Sequence, residues 1–391
     1  MKRLPKAETI VIAGSLAQKP RQGGHAWVFL QYLLGLRRLG WEVLFIDALE
    51  PAMCVDDQGR ACDLDHSINL AYLRRVMTGF DLGESFALIY NGGERVVGLS
   101  RSQVLERVKR AACLINVMGF LNDAEILAAA PRRVFLDIDP GFGQMWQALG
   151  LARMFRGHED YVTIGQNIGQ PGCLIPTCGI EWITTAPPVV LDYWPQQPPA
   201  GGGCMTSVMS WRGAYGPLEY QGKAFGLRVH EFRKFIELPR LTGRAFQLAL
   251  DIHPSEVNDL ARLAENRWML VNPRQVAGEP SAYQSYIQHS KAEFMVAKNM
   301  YVQSNSGWFS DRSVCYLASG RPVLAQETGL RNLYSTDEGL LAFATLEEAA
   351  AGVEALSRDY ERHARAARAI AESHFDSDKV LRRLLGKLGL I

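Results

Sequence analysis

Residues 9–47 read TIVIAGSLAQKPRQGGHAWVFLQYLLGLRRLGWEVLFID, and this stretch decides the fold. Thr9–Ala13 is a short β-branched, apolar run of the kind that forms a buried strand. A loop from Gly14 to Gly24 follows and holds Gly14, Pro20, Gly23 and Gly24. Ala26 to Leu39 then places Trp27, Leu30, Leu33, Leu34 and Leu36 on one broad apolar face, as an amphipathic helix requires. Arg37 and Arg38 fall in its last turn, where cations complement the helix dipole, and Gly40 supplies a stop. Trp41–Asp47 is the second strand. The whole is one βαβ unit with a right-handed crossover.

The same alternation continues outward. Strands are expected at 86–90, 114–117, 134–137 and 161–164, with a helix over 102–112. Continuous apolar strands alternating with helices predict a parallel sheet covered on both faces. Residues 194–203, WPQQPPAGGG, are rich in Pro and Gly and have no periodicity, so 195–203 reads as a linker. A second series then begins, with strands expected at 205–210, 246–250, 269–271, 294–297 and 323–325. A helical tail follows from Leu346, interrupted at 373–377. The expected division is an N-terminal Rossmann-like domain over 1–194 and a second one over 204–372. A C-terminal helix over 373–391 returns to the first. The fold class is α/β, two Rossmann-like domains facing across a cleft, with C-terminal helices. Ligands in such sheets sit beyond the carboxyl ends of the strands.

Composition narrows the function. The chain has 391 residues, 48% hydrophobic and 21% charged, with a formal net charge of +1. There is no basic excess for a nucleic-acid partner. No stretch has the roughly 18 apolar residues of a membrane span, and the N-terminal apolar run is too short for a signal peptide. The expected localisation is cytoplasmic. Seven cysteines include no Cys-x-x-Cys pair and no Cys/His cluster of zinc spacing, so no metal is expected. Cys113 and Cys315 read as core residues. Cys54 and Cys62 read as loop thiols rather than as ligands or a redox pair.

The chemistry concentrates in Ser290–Gly329. A strand runs into the loop Gln303–Gly307, and a helix begins near Ser310, a plausible N-cap with Asp311 in the first turn. Gly320 ends that helix, and Arg321-Pro322 turns the chain into the next strand. A loop leading into a helix N-terminus offers free amides and a positive dipole end, an anion site. Lys298 and Arg312 flank it. Elsewhere, Asp137 and Asp139 sit at the end of a strand, where alternate residues share a face. Asn167 lies in a loop after a strand.

The run Tyr316–Leu324, YLASGRPVL, resembles the helix–Gly–x–Pro–Val–strand element in the donor domain of the two-Rossmann (GT-B) glycosyltransferases, group 1 in particular. Gly23–Trp27 resembles their first glycine-rich acceptor-side loop, Leu39–Leu44 the junction into their second strand, and Val208–Arg212 their first donor-domain strand and phosphate-side loop. The resemblance spans essentially the whole chain. It implies transfer of a sugar from a nucleotide-sugar to a hydroxyl-bearing acceptor, a small molecule or a glycan, with no further cofactor.

On that reading Arg212, Lys298, Ser306, Gly307, Ser310, Asp311, Arg312 and Glu327 face the donor, and Gly23, Gly24, Asp137 and Asn167 face the acceptor. His25 is the first candidate for the general base and Asp139 the second; the alternative for His25 is a helix cap or a substrate hydrogen bond. Asp311 reads equally as a dipole-complementing residue. One departure stands out: retaining group-1 members commonly carry two glutamates eight apart, and the matching positions here are Gly307 and Cys315. A nucleotide-sugar epimerase or hydrolase, and a non-catalytic nucleotide-sugar-binding protein, are the competing expectations.

Overall fold

The computed structural model describes residues 8–198, 203–213 and 215–391. Residues 199–202 of the expected linker lie outside the described residues. The chain divides into two compact units. One gathers the chain up to Ile138 with Arg153–Thr163 and Ser377–Ile391. The other comprises Asp139–Ala152 and Ile164–Asp376.

The first unit holds β1 (Thr9–Gly14), β2 (Glu42–Leu49), β3 (Phe86–Tyr90), β4 (Arg95–Gly98), β5 (Ala111–Val117), β6 (Arg133–Asp137) and β7 (Asp160–Thr163). They lie in the order β4-β3-β2-β1-β5-β6-β7. All pair in parallel except β4, which returns antiparallel along β3. Every residue of β1 is buried, the pattern of a strand sandwiched between helices on both faces. Helix α1 (Gly23–Arg38) follows the first loop. A Cβ on Gly14 would meet the Phe29 ring at 2.4 Å, so glycine there lets α1 lie close against the end of β1.

The helix Ser377–Lys387 packs on α1. Its Leu381 and Ser377 fill the space beside Gly35, and Asp378 pairs with Arg38 at 3.1 Å. Arg132 donates to the Leu388 carbonyl.

The second unit contains β8 (Trp182–Thr184), β9 (Met205–Ser210), β10 (Leu218–Tyr220), β11 (Lys223–Phe225), β12 (Phe246–Asp251), β13 (Trp268–Val271), β14 (Ala292–Met295), β15 (Val323–Gln326) and β16 (Leu340–Phe343). Six of them form a parallel sheet in the order β13-β12-β9-β14-β15-β16, and β10 and β11 make a small hairpin. The chain reverses its direction of sheet growth at β9. The crevice between β9 and β14 is therefore the topological switch point. β14 bonds to β9 only over Ala292–Glu293, opposite Met205–Thr206. Beyond that the two strands diverge toward their carboxyl ends.

Several boundaries differ from the sequence reading, and two of them have a clear local cause. The helix expected over 102–112 spans Arg101–Lys109, because Ser100 and Gln103 form a capping box and the chain enters β5 at Ala111. The interruption expected at 373–377 is a single wide turn, Ala371–Phe375, leading into the last helix.

Candidate functional site

At the switch point two arginines span the gap between the diverging strands. Arg312 donates from Nη1 to the Val208 carbonyl of β9 at 2.9 Å, and its Nε bonds Glu293 of β14 at 2.5 Å. One step nearer the strand ends, Arg228 donates from Nη1 to the Ser210 carbonyl at 3.0 Å and from Nε to the Val296 carbonyl at 3.1 Å. Both side chains are buried. They differ in how their charge is met. Burial works to lower the Arg312 pKa, but the charge and hydrogen bond of Glu293, which is 0% exposed, together with the nearby tyrosines, raise it overall. Arg228 has no carboxylate hydrogen-bonded to it among the described residues. Burial, and then the nearby Arg312, bring its pKa down to about 10. A guanidinium carries five N–H donors and Arg228 uses two on carbonyls.

The turn after β14 completes this region. Lys298 donates to Asp139 Oδ2 at 2.5 Å, and the Tyr301 hydroxyl bonds the other oxygen of the same carboxylate. The Lys298 ammonium lies 5.7 Å from the Phe142 ring centre and 5.3 Å from that of Tyr301. Trp308 stacks on Tyr301 at 4.2 Å. The turn is fixed from behind by Glu231, 1% exposed, which accepts from Asn299 Nδ2 at 2.6 Å and Gln326 Nε2 at 2.5 Å. Gln326 in turn accepts from the Ala297 amide at 3.1 Å. Glu231 thereby positions both Lys298 and the Val296 carbonyl that Arg228 uses.

Three loops meet around Gly307. The Asn167 amide donates to Ser306 O at 3.1 Å, its Nδ2 to Asn305 O at 3.1 Å, and Gly307 N to Thr328 O at 2.6 Å. Ser306 is buried and its Oγ accepts from Trp308 N at 3.2 Å. Ser310 caps the helix Asp311–Ala318 by accepting from Arg312 N at 3.2 Å. The Asp311 carboxylate faces the amides of its own residue and of Arg312; burial raises its pKa, and the Arg312 charge and those amides oppose the rise. Glu327 accepts from Gly329 N at 2.5 Å.

The residues expected to face a donor therefore divide. Lys298 stands at the switch-point crevice. Arg312 is spent on Glu293 and Val208. Arg212 is half exposed and pairs with Glu256, away from β14. Ser306, Gly307 and Glu327 hold the loops together. Asn167, expected on the acceptor side, belongs to this cluster in the second unit. Asp139 is likewise in the second unit, bound to Lys298, whereas Asp137 is buried in the first and accepts from Thr163 Oγ1 at 2.8 Å. The two carboxylates have separate partners and do not share a ligand site. Sequence reasoning missed Arg228, Glu231 and Tyr301. Arg228 had a legible signal: a cation at the first position of a helix, Arg228–Phe232, opposes the helix dipole and calls for an anion.

In the first unit Gly23 and Gly24 open α1, and His25 sits on its first turn. His25 Nε2 lies 3.2 Å from the Ser15 carbonyl and 3.1 Å from Ser15 Oγ, and the ring packs edge-on against Phe29. Enclosure of the ring, then the Lys19 charge, lower its pKa to about 3, against the Ser15 hydrogen bond. The loop is clamped by Asp47, which accepts from Ala17 N at 2.6 Å and Ala48 N at 2.8 Å. Burial raises the Asp47 pKa to about 7, and the amides of Ala17 and Ala48 oppose the rise. At the carboxyl ends of β2 and β3 lies a cavity of about 410 Å³, lined by Glu50, Arg101, Asn122, Asp123 and Glu125 among others. Arg101 is bound there by Asp123 at 2.6 Å and Glu125 at 2.7 Å.

No group of three or more His, Cys, Asp or Glu suited to a metal occurs among the described residues. No helix among them is long and apolar enough to cross a membrane.

Residues 241–386, which contain Glu293, Lys298 and Arg312, match the family described as glycosyl transferase-like. No curated protein matches the chain by sequence. Among solved structures, an α-glucosyltransferase bound to UDP and a 13-mer DNA is 11% identical, with a TM-score of 0.60 over 98% of this chain and 99% of that one. Anabaena Alr3699/HepE in complex with UDP-glucose is 14% identical, with a TM-score of 0.59 over 98% and 100%. AviGT4, a glycosyltransferase involved in avilamycin A biosynthesis, is 12% identical, with a TM-score of 0.53 over 97% and 96%. At these identities the likeness shows the fold. The chain has the GT-B fold, and within it residues 241–386 are similar to the glycosyl transferase-like family.

Proposed function

We propose that this GT-B chain is a glycosyltransferase that takes a sugar from a nucleoside-diphosphate donor held on the second unit and passes it to a hydroxyl group of an acceptor bound on the first. The observation that carries the reading is Arg228: a buried guanidinium at the strand switch point, with no carboxylate bonded to it and with donors to spare. A diphosphate meets that need, because charge-assisted bonds to phosphate oxygens are strong and complete the charge balance of the crevice. Lys298 adds a second cation, and Asp139 and Tyr301 hold its ammonium in place. As the donor's bond to the sugar breaks, negative charge gathers on the departing phosphate, where the Arg228 guanidinium, which has no carboxylate hydrogen-bonded to it, stabilises it most in a low-dielectric crevice and the Lys298 ammonium adds hydrogen-bond donors beside it.

Two of the structural relatives are bound to UDP or UDP-glucose, which supports a uridine nucleotide here. One relative is bound to DNA. For this chain the acceptor is a neutral hydroxyl compound or glycan rather than a nucleic acid. The first-unit cavity presents three carboxylates, Glu50, Asp123 and Glu125, against the single Arg101, which opposes a polyanion.

The experiment is a panel of nucleoside-diphosphate sugars, scored for thermal stabilisation and then, with labelled sugar, for products with and without hydroxyl acceptors. Stabilisation by one donor and acceptor-dependent transfer of its label are expected. Label released or epimerised equally well without acceptor would replace transfer by hydrolysis or epimerisation. Stabilisation with no product from any acceptor would leave a binding protein.

A further inference from the structure

From the sequence Cys54 and Cys62 are expected to be loop thiols rather than ligands or a redox pair. In the structure they face each other. Residues 54–62 form a small hairpin: Val55 and Ala61 make an antiparallel bridge, Asp56 N donates to Arg60 O at 2.8 Å, and Cys62 N donates to Cys54 O at 3.2 Å. The turn is sealed by the Asp56 carboxylate, which accepts from Gln58 N and Arg60 N, both at 2.9 Å. In this register Cys54 and Cys62 are directly opposed, so their side chains leave the same face of the hairpin. A directly opposed, hydrogen-bonded antiparallel pair has its Cα atoms about 5.5 Å apart, within the span a disulfide bridges. Cys54 is buried, with its thiol near Ser67 and Tyr90 and within electrostatic reach of the Cys62 thiol.

The hairpin is tied to the loop that carries Ser15 and precedes His25. At its base Val55 N donates to Asn69 Oδ1 at 3.0 Å, and Asn69 Nδ2 donates to Ala17 O at 2.8 Å. At its tip Asp57 pairs with Arg21.

We infer that Cys54 and Cys62 form a reversible disulfide, a thiol-oxidation site on the first unit that staples the 54–62 hairpin beneath the Ser15–Arg21 loop. The oxidant is a low-molecular-weight disulfide. The Cys62 thiolate attacks one of its sulfurs, forming a mixed disulfide and releasing one small thiol. The Cys54 thiolate then attacks Cys62 Sγ and releases the second. Two protein thiols and one small disulfide become one protein disulfide and two small thiols, with nothing left over. Cys62 leads because it is the more accessible of the two. Burial, with Asp63 nearby, holds both thiols above their ordinary pKa, so the exchange is slow at neutral pH and quickens as pH rises.

The test uses the full chain, equilibrated at about pH 8.5 with oxidised and reduced glutathione, near the ordinary thiol pKa. Remaining thiols are then alkylated and the protein is digested. The expected product is one peptide with Cys54 linked to Cys62, reopened by dithiothreitol, and slower amide exchange at Val55 and Ala17 in the oxidised protein. Recovery of Cys54 and Cys62 as alkylated thiols, as separate glutathione adducts, or bridged to other cysteines under conditions that fully oxidise glutathione would overturn the proposal. A Cys54–Cys62 bridge with unchanged exchange at Ala17 would overturn its link to the Ser15–Arg21 loop.

Discussion

Asn167 stands where a side chain at position 307 would have to go. A Cβ built on Gly307 would meet Asn167 Cγ at 2.7 Å and the Asn167 amide nitrogen at 2.8 Å, and Gly307 has a φ of +68°. The retaining glycosyltransferases that this chain resembles commonly have glutamate at the corresponding position. Here that space belongs to an asparagine that binds the Asn305 carbonyl instead.

Putting the glutamate back should therefore damage the protein rather than improve it. Gly307→Ala is expected to cost about 1–3 kcal/mol, the range for overpacking a full site, plus strain from the left-handed backbone. Thermal denaturation measures it. In an Asn167→Ala background the side-chain part of the clash should vanish, so the cost should fall, while the contact with the Asn167 backbone nitrogen and the left-handed strain remain. Equal costs in the two backgrounds would show that Asn167 is not the obstacle.

The two switch-point arginines should respond in opposite ways. Arg312→Met strands the buried Glu293 carboxylate, so a loss of about 3–5 kcal/mol in stability is expected. Adding Glu293→Gln should recover part of it. Arg228→Met removes a buried charge that lacks a carboxylate partner. The fold should survive, while affinity for a nucleoside diphosphate falls roughly 10- to 100-fold, the equivalent of about 1.5–3 kcal/mol for a charged hydrogen bond. Calorimetric binding together with melting curves separates the two behaviours. A normal nucleotide affinity in Arg228→Met would remove the residue from the donor site.

His25 contributes to pH dependence in a definite direction. Its pKa is about 3 in the fold and 6.5 in the unfolded chain. Below 6.5 the unfolded state takes up a proton that the native state refuses. Stability contributed by the neutral ring is complete above about pH 6.5 and is lost as pH falls toward 3. The stability advantage of wild type over His25→Gln should therefore shrink across that window in denaturant titrations. By the same argument the turnover profile should show no limb near pH 6–7 that disappears in His25→Gln. Such a limb would mean that the ring titrates normally and serves as a general base.

Gly35 can be tested through the end of the chain. A Cβ there would meet Leu381 Cδ1 at 2.6 Å and Ser377 Cβ at 3.0 Å. Gly35→Val should loosen the helix Ser377–Lys387 from α1, and mild proteolysis should then remove that segment. Resistance equal to wild type would show that the contact relaxes without undocking.

The architecture was legible because it depends on burial. The strand Met205–Ser210 and the helix Asp311–Ala318 were found to within a residue or so, since an apolar run between turn residues leaves few alternatives. The strands that escaped notice were the peripheral β4, β8, β10, β11 and β16, each only three or four residues long, too short for a pattern to separate them from a loop. The site was less legible for a different reason. Arg312 and Arg228 are both cations beside a helix start, and only the fold shows that one is hydrogen-bonded to Glu293 and the other is not. Likewise Asp137 and Asp139, two residues apart, suggested a shared ligand, but the chain passes from one unit to the other between Ile138 and Asp139. The closeness of Cys54 and Cys62 follows from a turn set by Asp56, a contact with no apolar periodicity to announce it.

The helix Ser377–Lys387 belongs to the first unit, yet a ribosome makes it only after the whole of the second. While the chain is being synthesised, α1 must wait with Gly35 uncovered until more than three hundred further residues have emerged. The second unit has no such wait, for all of its residues precede Ser377. Order of appearance and order of completion are thus reversed: the part that starts first finishes last. A polypeptide that stalls or is clipped before Ser377 would leave the cell a finished second unit attached to an unfinished first one, exposing apolar surface for quality-control machinery to find.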